Sequence, residues 1–230
     1  MKLSIVMPTY NELKRLPKTL EAYFSFFNKK KIKYEIIISD ISSDGTKEYI
    51  KKLQKKHKNL VYLELKERGK GLGVYKAFEI AKGELVSFVD ADNSTPPEEF
   101  YKLFRLMNRY DAVIGSRGLF REHAINYQSS LIRKLFSFCL STFYVRFLYG
   151  LKIKDSQCGA KIFKKKLFMK VKPELKITNA YFDIELLWRY SKVGTIKELP
   201  VKWTDAAGTH FKWKELYEGT YWLVKTRLGF

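Results

Sequence analysis

Short apolar runs alternate along the first half of the chain with longer segments in which apolar residues recur every three or four positions. The runs predict buried strands at residues 3–7, 34–39, 60–65, 84–89 and 112–115. The segments between them predict amphipathic helices, the first ending near residue 28 and the others covering 46–57, 72–81 and 97–109. Thr9 or Asn11 is expected to cap the first helix. Strands that alternate with helices over short connections predict an α/β fold, in which helices cover a mostly parallel sheet.

The second half of the chain has a different pattern, with many aromatic residues in its helical segments. We expect a long aromatic helix at 127–149, a short strand at 161–163, a helix at 181–192, a strand at 195–204 and a closing helix at 213–228. No repeat, low-complexity tract or linker interrupts the sequence. The 230 residues are therefore expected to form a single domain.

The charge balance is strongly basic, with 44 Lys and Arg against 24 Asp and Glu, which gives a formal net charge of +20. Such a charge predicts anionic partners: nucleic acid, an acidic membrane surface or phosphorylated substrates. The alternative is a lysine-rich composition whose cations, as at 29–31 and 164–166, lie on solvated helix ends and turns. The hydrophobic share of 46% excludes a disordered chain. Cys139 and Cys158 fit no disulfide framework or metal motif, so two reduced thiols are expected.

The sequence favours peripheral rather than spanning contact with a membrane. The first strand follows Met1 closely, so no signal peptide or anchor is expected before it. No apolar stretch approaches the ~20 residues that a spanning helix needs. Two helices combine aromatic and basic residues, which indicates either interfacial helices or core helices with solvated edges. Their apolar residues are Leu135, Phe136, Phe138, Cys139, Phe143, Phe147 and Leu148 in the first and Trp213, Tyr217, Tyr221, Val224 and Leu228 in the second.

Two carboxylates, Asp90 and Asp92, follow the apolar run that predicts the fourth strand. If the chain stays extended beyond the sheet, both side chains lie on one side. Two such oxygen ligands suit a hard divalent cation that bridges protein carboxylates to substrate phosphates. Prolines and acids at 96–99 favour a helix start just beyond, at the mouth of a parallel sheet, where open α/β proteins bind ligands. The pattern favours an enzyme that acts on nucleotide phosphates; a solvated turn is the alternative.

A second candidate site for a phosphate group is the sequence Arg68-Gly69-Lys70-Gly71-Leu72-Gly73, which precedes the third helix. Glycines allow close approach of the backbone, and a helix start offers N–H donors to a diphosphate. Two cations at this place would add attraction for the same group. The alternative is a glycine-rich turn without a ligand.

The chain contains, in this order, Val6-Met7-Pro8-Thr9-Tyr10-Asn11-Glu12, Asp40-Ile41-Ser42-Ser43-Asp44-Gly45-Thr46, Arg68-Gly69-Lys70-Gly71, Asp90-Ala91-Asp92 and Gly115-Ser116-Arg117. This series resembles the family 2 inverting glycosyltransferases, which have the Rossmann-like A-type glycosyltransferase (GT-A) fold. Later blocks are Asp155-Ser156-Gln157-Cys158-Gly159, Phe182-Asp183-Ile184-Glu185-Leu186-Leu187 and Leu199-Pro200-Val201-Lys202-Trp203. They are similar to dolichyl-phosphate β-glucosyltransferases and, less closely, to dolichyl-phosphate mannose synthases.

The resemblance implies a nucleotide-sugar-binding half at 1–117 and an acceptor half at 118–230. It assigns nucleotide-sugar binding to Pro8, Tyr10, Glu12, Asp40, Arg68, Lys70, Asp90, Ala91 and Asp92. Asp90 and Asp92 would hold Mg²⁺ or Mn²⁺ on the diphosphate and offset the charge of the departing nucleotide. The chain departs from the family pattern in one block, because Ser39 and Ile41 flank Asp40 where the family usually has aspartate and glycine. The turn at 44–46 is as well explained by a helix start as by a ligand.

The acceptor's phosphate is assigned, by the same resemblance, to Arg117, Arg133, Ser137 and Gln157, with Arg121 as a competing candidate. Asp92, Asp183 and Arg117 are the implied catalytic residues. Asp183 would serve as an acid or base or cap its helix, and it rather than Glu185 is expected to point inward. A general base is not required, because a monoalkyl phosphate with a second pKa near ~6 is already a nucleophile at pH 7. Trp203 fits the acceptor half but also suits the core.

The function that the resemblance implies is metal-dependent transfer of a hexose, from UDP-glucose, onto a dolichyl or polyprenyl phosphate. The enzyme would act at the cytoplasmic face of a membrane with an anionic surface, and no nucleic acid partner is expected. Three alternatives remain open: mannose transfer from GDP-mannose to the same lipid, transfer to a growing glycan, and a non-catalytic module that binds anionic membranes or nucleic acid. Asn93 argues against the mannose synthases, which typically have glutamine after the acid pair.

Overall fold

The computed structural model describes residues 2–117, 144–204 and 213–229. Within these ranges, seven strands form one sheet in the order β3-β2-β1-β4-β6-β5-β7. The strands are β1 (Leu3–Thr9), β2 (Tyr34–Asp40), β3 (Leu60–Glu64), β4 (Leu85–Val89), β5 (Ala112–Ser116), β6 (Ala160–Lys164) and β7 (Ile196–Pro200). The α-helices are α1 (Leu16–Asn28), α2 (Thr46–Gln54), α3 (Lys70–Ile80), α4 (Pro97–Arg105), α5 (Lys165–Val171), α6 (Phe182–Ser191) and α7 (Trp213–Leu228).

The sheet is parallel except for β6, which runs antiparallel to both of its neighbours, β4 and β5. The predicted strand at 161–163 is therefore confirmed, and so is the mostly parallel sheet. Because β6 is reversed, its first residue pairs with the last residue of β4, Ala160 with Val89. The chain thus enters β6 at the same edge where β4 ends. This places the turn before β6 beside Asp90.

The core consists of two apolar layers, one on each face of the sheet. One layer contains the large buried side chains Phe78 of α3, Phe88 of β4 and Phe163 of β6 together with the start of α6. The other contains Tyr23 and Phe27 of α1 and the side chains of α4. Alternate residues of each strand supply the two layers, as the near-continuous apolar runs in the sequence predict.

The predicted cap of the first helix is wrong. Thr9 belongs to β1, and its hydroxyl donates to Asp40 Oδ1 at 2.7 Å instead of capping a helix. Asn11 has a left-handed backbone, with φ of 55°, and its side chain accepts from the Ser43 amide. The helix begins only at Leu16, without a side-chain cap but with proline in its first turn. Both candidate caps are used instead to connect the ends of β1 and β2.

The predicted aromatic helix at 127–149 lies mostly outside the described residues. Its last part, Tyr144–Leu148, is a π-helical turn that packs beside α7. The closing helix is confirmed as α7, with the predicted end at Leu228. Among the helices in the described part of the chain, none has the combination of length and hydropathy that bilayer crossing requires.

Candidate active site

The candidate site lies where the carboxyl ends of the parallel strands meet. β1 has β2 on one side and β4 on the other, so the chain direction across the sheet reverses at β1. In open α/β sheets a crevice forms at such a reversal, outside the carboxyl ends of the strands. The predicted donor-side residues follow β1, β2 and β4, and residues of the acceptor half reach the same edge through β5, β6 and α6.

Asp90 is the first residue after β4, and its side chain is 29% exposed. Lys70 Nζ donates to Asp90 Oδ1 at 2.7 Å. Burial would raise the pKa of Asp90, but the charge and hydrogen bond of Lys70, with smaller contributions from Lys161 and Arg117, hold it below its ordinary value. Asp90 is therefore an anion with a cation already in contact. Gly159, before β6, lies so close that a Cβ there would be 1.8 Å from Asp90 Oδ2.

Asp92 lies in a turn, and the extended geometry predicted for the acid pair is wrong. The chain turns directly after β4, and Asn93 takes a left-handed backbone with φ of 58°. Asp92 Oδ1 accepts from the amide of Ser94 at 2.9 Å and from its hydroxyl at 2.5 Å. Within the described ranges, both hydrogen bonds of the Asp92 carboxylate are made by Oδ1, and Oδ2 accepts none.

The two carboxylates suit a divalent cation in their chemistry. Both offer the hard oxygen atoms that Mg²⁺ and Mn²⁺ prefer, and in the described part of the chain Asp92 Oδ2 accepts no hydrogen bond. Over the described residues, no group of three or more His, Cys, Asp or Glu side chains converges on one point. A cation held here would therefore take most of its ligands from substrate phosphates and water, which is the usual arrangement for Mg²⁺.

The glycine-rich segment before α3 is only partly available to a phosphate group. The prediction that the helix start offers free donors is wrong for Gly71 and Leu72, whose amides donate to the carbonyls of Asn179 and Thr178 at 3.4 and 3.1 Å. Gly69 is required here, because its φ is 156° and any Cβ at this position would lie 2.6 Å from the carbonyl oxygen of Thr178. The two cations of this segment point toward the site, where Arg68 contacts Tyr10 and Lys70 contacts Asp90.

Arg68 reaches across the cleft to the end of β1. Its guanidinium lies 4.2 Å from the centroid of the Tyr10 ring and donates to the Tyr10 hydroxyl. Tyr10 is 45% exposed, so the pair lies at the open edge of the predicted nucleotide site. A planar cation stacked on an aromatic ring offers both a flat surface and donors to a nucleotide. Pro8 lies within β1, shortly before Tyr10.

Asp40 ends β2 and is fully buried. Its carboxylate accepts hydrogen bonds from Thr9, Ser42 and the Tyr62 hydroxyl, the last at 3.0 Å. These bonds connect the ends of β1 and β2 to the middle of β3, so Asp40 holds together the three strands beneath the predicted nucleoside site. Ser39, the preceding residue of β2, lies on the opposite face of the sheet, and its buried hydroxyl has no partner within the described residues.

Glu12 and Arg15 form a bidentate pair beside the acid motif. The hydrogen bond to Glu12 raises the pKa of Arg15, burial lowers it, and the negative charges of Asp92 and Asp90 raise it further. Arg15 therefore lies within electrostatic reach of both predicted cation ligands. The sequence motifs gave Arg15 no binding role, because its electrostatic interaction with the acid pair arises only in the folded chain.

Arg117 follows β5 and is held by Asp155. Its Nε and Nη2 atoms donate to the two oxygens of Asp155 at 2.8 and 2.9 Å, and its backbone amide donates to the same carboxylate. Burial alone would lower the pKa of Arg117, but Asp155 raises it above its ordinary value. The guanidinium also lies 5.3 Å from the ring of Trp203. Arg117 is thus a fixed cation at the acceptor side of the edge, and its role toward a phosphate stays a prediction.

Asp183 is buried at the start of α6, as predicted, but it does not cap that helix. Its Oδ1 accepts from Gln157 Nε2 at 2.7 Å, and its Oδ2 accepts from Lys161 Nζ at 2.9 Å. The expectation that Asp183 alone points inward is wrong, because Glu185 is also fully buried. Glu185 accepts from the amides of residues 176 and 177 and pairs with Arg189, which are structural contacts.

Three predicted acceptor residues, Arg121, Arg133 and Ser137, lie outside the described residues. Ala91 is buried in the turn after β4, where its carbonyl accepts from the Thr19 hydroxyl at 2.7 Å. The structure also reveals Lys161, which carries no motif signal beyond being a lysine within an apolar strand. The predicted residues that it brings to one edge of the sheet include Asp90, Lys70, Arg117, Gln157 and Asp183, together with Tyr10, Asp40, Arg68 and Asp92.

Solved structures support the fold of the chain. Mannosyl-3-phosphoglycerate synthase from Rubrobacter xylanophilus has a TM-score of 0.71 at 15% identity, with 98% of this chain and 72% of that chain covered. Glucosyl-3-phosphoglycerate synthase from Mycobacterium tuberculosis, solved with Mn²⁺, UDP and phosphoglyceric acid, has a TM-score of 0.68 at 16% identity, over 99% of this chain and 78% of that chain. At these identities the likeness establishes the GT-A fold alone.

Sequence relatives cover most of the chain. A dolichyl-phosphate beta-glucosyltransferase from Dictyostelium discoideum is 32% identical over 225 residues, with 90% of this chain and 68% of the relative covered. The protein of the same name from Homo sapiens is 31% identical over 229 residues, with 90% and 69% covered. The family model described as Glycosyl transferase family 2 matches residues 4–172. The chain therefore belongs to glycosyltransferase family 2.

Proposed function

We propose that this protein transfers glucose from UDP-glucose onto a dolichyl or other polyprenyl phosphate, with a divalent cation, at the cytoplasmic face of a membrane. The observation that carries the proposal is the match over 90% of the chain to relatives named dolichyl-phosphate beta-glucosyltransferase. The geometry is compatible with it, because carboxylates and fixed cations meet at one edge of the sheet. GDP-mannose as donor has no comparable support.

The donor would bind along the ends of β1, β2 and β4. Tyr10 and Arg68 would contact the nucleotide at the open edge, and Lys70 would contact the diphosphate. Asp90 and Asp92 would hold Mg²⁺ or Mn²⁺, which would stabilise negative charge on the leaving nucleoside diphosphate. To reach a phosphate, Lys70 would have to break its hydrogen bond with Asp90 Oδ1. The negative charge of the diphosphate would attract Lys70 strongly enough to favour this change of partner.

The acceptor would bind on the side of β5, β6 and α6. A lipid phosphate is dianionic at neutral pH and acts as its own nucleophile, so the chain needs to orient it more than to deprotonate it. Arg117 has the planar fork of donors that suits a phosphate. Asp183 already accepts hydrogen bonds from Gln157 and Lys161. We therefore assign Asp183 to positioning Gln157 rather than to accepting a proton.

The product identifies the reaction. The protein is incubated with labelled UDP-glucose, and in parallel with labelled GDP-mannose, a short polyprenyl phosphate and Mn²⁺. The expected result is a lipid-linked glucose that mild acid releases, because a glycosyl phosphate is acid-labile. An acid-stable glycoside would indicate a sugar acceptor, and label incorporated only from GDP-mannose would contradict the proposed donor.

The membrane contact is proposed for the outer face of α7. Tyr221, Trp222 and Leu228 are 51%, 38% and 61% exposed, which is unusual for large apolar side chains on one helix. Lys225 lies over the rings of Tyr221 and Trp222 at 5.5 and 5.3 Å. Aromatic and basic side chains on one helix face fit the headgroup region of an anionic bilayer. The predicted partners Trp213 and Tyr217 have side chains outside the described residues.

Vesicle binding tests this surface. The double variant Tyr221→Ser and Leu228→Ser is expected to bind phosphatidylserine vesicles about tenfold more weakly than the wild type, because two apolar side chains no longer enter the interface. Wild-type binding should also decrease as salt increases. Ile80→Ser, which removes a 49% exposed apolar side chain from the end of α3, is the matched control and should bind normally. The proposal would be contradicted if the wild-type protein did not bind the vesicles at any salt concentration.

A further inference from the structure

Lys161 lies in the interior of the protein, where lysine side chains are rarely found. Its exposure is 0%. It is the second residue of β6, and it pairs with Phe88 of β4 on one side and with Ile114 of β5 on the other. Phe163, two positions later on the same face, is part of the apolar core. The pattern of β6 therefore predicts an apolar residue at position 161, and the sequence has a cation.

The ammonium group of Lys161 connects two separate segments of the chain. Its Nζ donates to Asp183 Oδ2 at 2.9 Å, at the start of α6, and to the carbonyl of Cys158 at 2.5 Å, in the turn before β6. It also lies 5.0 Å from the centroid of the Phe88 ring. Over the described residues, these are its polar contacts and its one cation–π contact.

A contribution to stability alone does not account for the buried ion pair of Lys161 and Asp183. Removing two charges from water costs several kcal/mol per ion, and well-packed apolar residues of similar volume are often equally or more stable. The same strand contains an ordinary ion pair for comparison. Lys164 and Asp111 lie 2.8 Å apart at the opposite edge of the sheet, with side chains 40% and 26% exposed. The side chains of Lys161 and Asp183 are only 0% and 4% exposed, so this ion pair is buried whereas the other is solvated.

The two contacts of Lys161 lead to the two sides of the site. Through Asp183 it fixes Gln157, whose amide donates to Asp183 Oδ1 at 2.7 Å on the acceptor side. Through the Cys158 carbonyl it fixes the next residue, Gly159, where a Cβ would lie 1.8 Å from Asp90 Oδ2 on the donor side. One buried cation thus fixes both Gln157 and Gly159, the residue that lies beside the carboxylate of Asp90.

We propose that Lys161 is a positioning residue for the transfer reaction, which keeps the acceptor-side amide of Gln157 and the donor-side carboxylate of Asp90 in fixed relation. The inference rests on the proposed function, since it assumes that donor and acceptor meet at this edge. Misplacing reacting groups by about 1 Å lowers a rate about 100-fold. Groups that Lys161 does not contact, such as Tyr10 and Arg68, bind the nucleotide independently of it.

The test compares Lys161→Met with Lys164→Met, each of which removes one lysine from β6. Thermal unfolding gives the folded fraction, and steady-state kinetics with UDP-glucose and a short polyprenyl phosphate give kcat and KM. For Lys161→Met we expect kcat about 100-fold lower per folded molecule and KM for UDP-glucose changed by less than about twofold. Lys164→Met should keep both constants within about twofold of the wild type.

A second variant protects the test against simple unfolding. Lys161→Met alone leaves Asp183 buried without its cation, whereas Lys161→Met with Asp183→Asn leaves no unpaired charge and should fold. A folded variant of either kind with kcat within about threefold of the wild type would show that the pair is only structural, and so would an increase in KM with kcat preserved.

Wild-type turnover is measured first, which separates the two proposals. If the wild type transfers no glucose to the lipid phosphate, the proposed function fails. The Lys161 comparison is then made on hydrolysis of the nucleotide sugar that the wild type accepts. A Lys161→Met rate equal to the wild-type rate in that assay would overturn the positioning role independently of the acceptor.

Discussion

Asp92→Ala is expected to lower kcat for glucose transfer about 1,000-fold, the upper part of the range found when a group that stabilises a leaving-group charge is removed. Asp92 Oδ1 is held by Ser94, and within the described residues Oδ2 is uncommitted. The substitution therefore removes the carboxylate oxygen that is best placed for a cation ligand. Transfer is measured with labelled UDP-glucose over a titration of Mn²⁺, and chelation of the cation should reduce wild-type activity to a similar extent.

Asp111→Ala is the matched control for this substitution. Asp111 precedes β5 at the opposite edge of the sheet, where hydrogen bonds from Lys164 and Thr195 lower its pKa to about 2. A carboxylate with a depressed folded-state pKa contributes stability that is present above its unfolded pKa and is lost as pH falls toward 2. Asp111→Ala should thus lower the unfolding temperature at pH 7 and leave kcat per folded molecule unchanged. Normal turnover by Asp92→Ala would overturn the assignment of Asp92 as a cation ligand.

Vesicle binding separates catalysis from membrane contact in the same variant. Asp92 lies in the turn after β4, whereas the exposed apolar residues of α7 lie on another element. Asp92→Ala should therefore bind anionic vesicles as the wild type does. A non-catalytic membrane-binding module would show the same binding in both proteins and no transfer by either, so the wild-type assay distinguishes the two functions.

Strands β1 to β5 could be predicted from the sequence because each contains a short, nearly continuous apolar run, which is the composition typical of strands in a parallel sheet that is covered on both faces. The position of Asp90 at the edge of the sheet could also be predicted, because Asp90 comes directly after the apolar run that forms β4. The direction of β6 could not be predicted, because the composition of a five-residue strand is the same in either direction. That direction decides whether Gly159 or Lys165 lies beside Asp90.

The contacts within the site depended on segments far apart in the chain. Lys70 and Asp90 are 20 residues apart, and Arg117 and Asp155 are 38 apart, so only the order of strands brings each pair together. The amides at the start of α3 are free by any local rule, yet carbonyls of residues 178 and 179 accept from them. Threonine is a common helix cap, but the Thr9 hydroxyl donates to Asp40 at the end of β2 instead. Local rules failed where tertiary partners competed for the same groups.

Gly159→Ala is expected to lower kcat about 100-fold while leaving the protein folded. A Cβ at this position would lie 1.8 Å from Asp90 Oδ2 and 2.3 Å from Asp90 Cγ. The carboxylate is the end of a side chain, so it can rotate away at small cost to stability, but in doing so it leaves the position that Lys70 and a cation would share. Kinetics at saturating UDP-glucose, together with thermal unfolding, measure both effects.

Gly83→Ala should have the opposite result to Gly159→Ala, a loss of stability with kcat retained. A Cβ at Gly83, just before β4, would lie 2.7 Å from the backbone of Leu85 and of Ser4, neither of which can rotate away. Overpacking against backbone typically costs about 1–3 kcal/mol, so Gly83→Ala should lower the free energy of unfolding and retain kcat per folded molecule. The two glycines lie at opposite ends of the paired strands β4 and β6, and each substitution adds one methyl group. If Gly159→Ala lost stability instead of kcat, Asp90 would have a structural role and the donor side of the site would need another carboxylate.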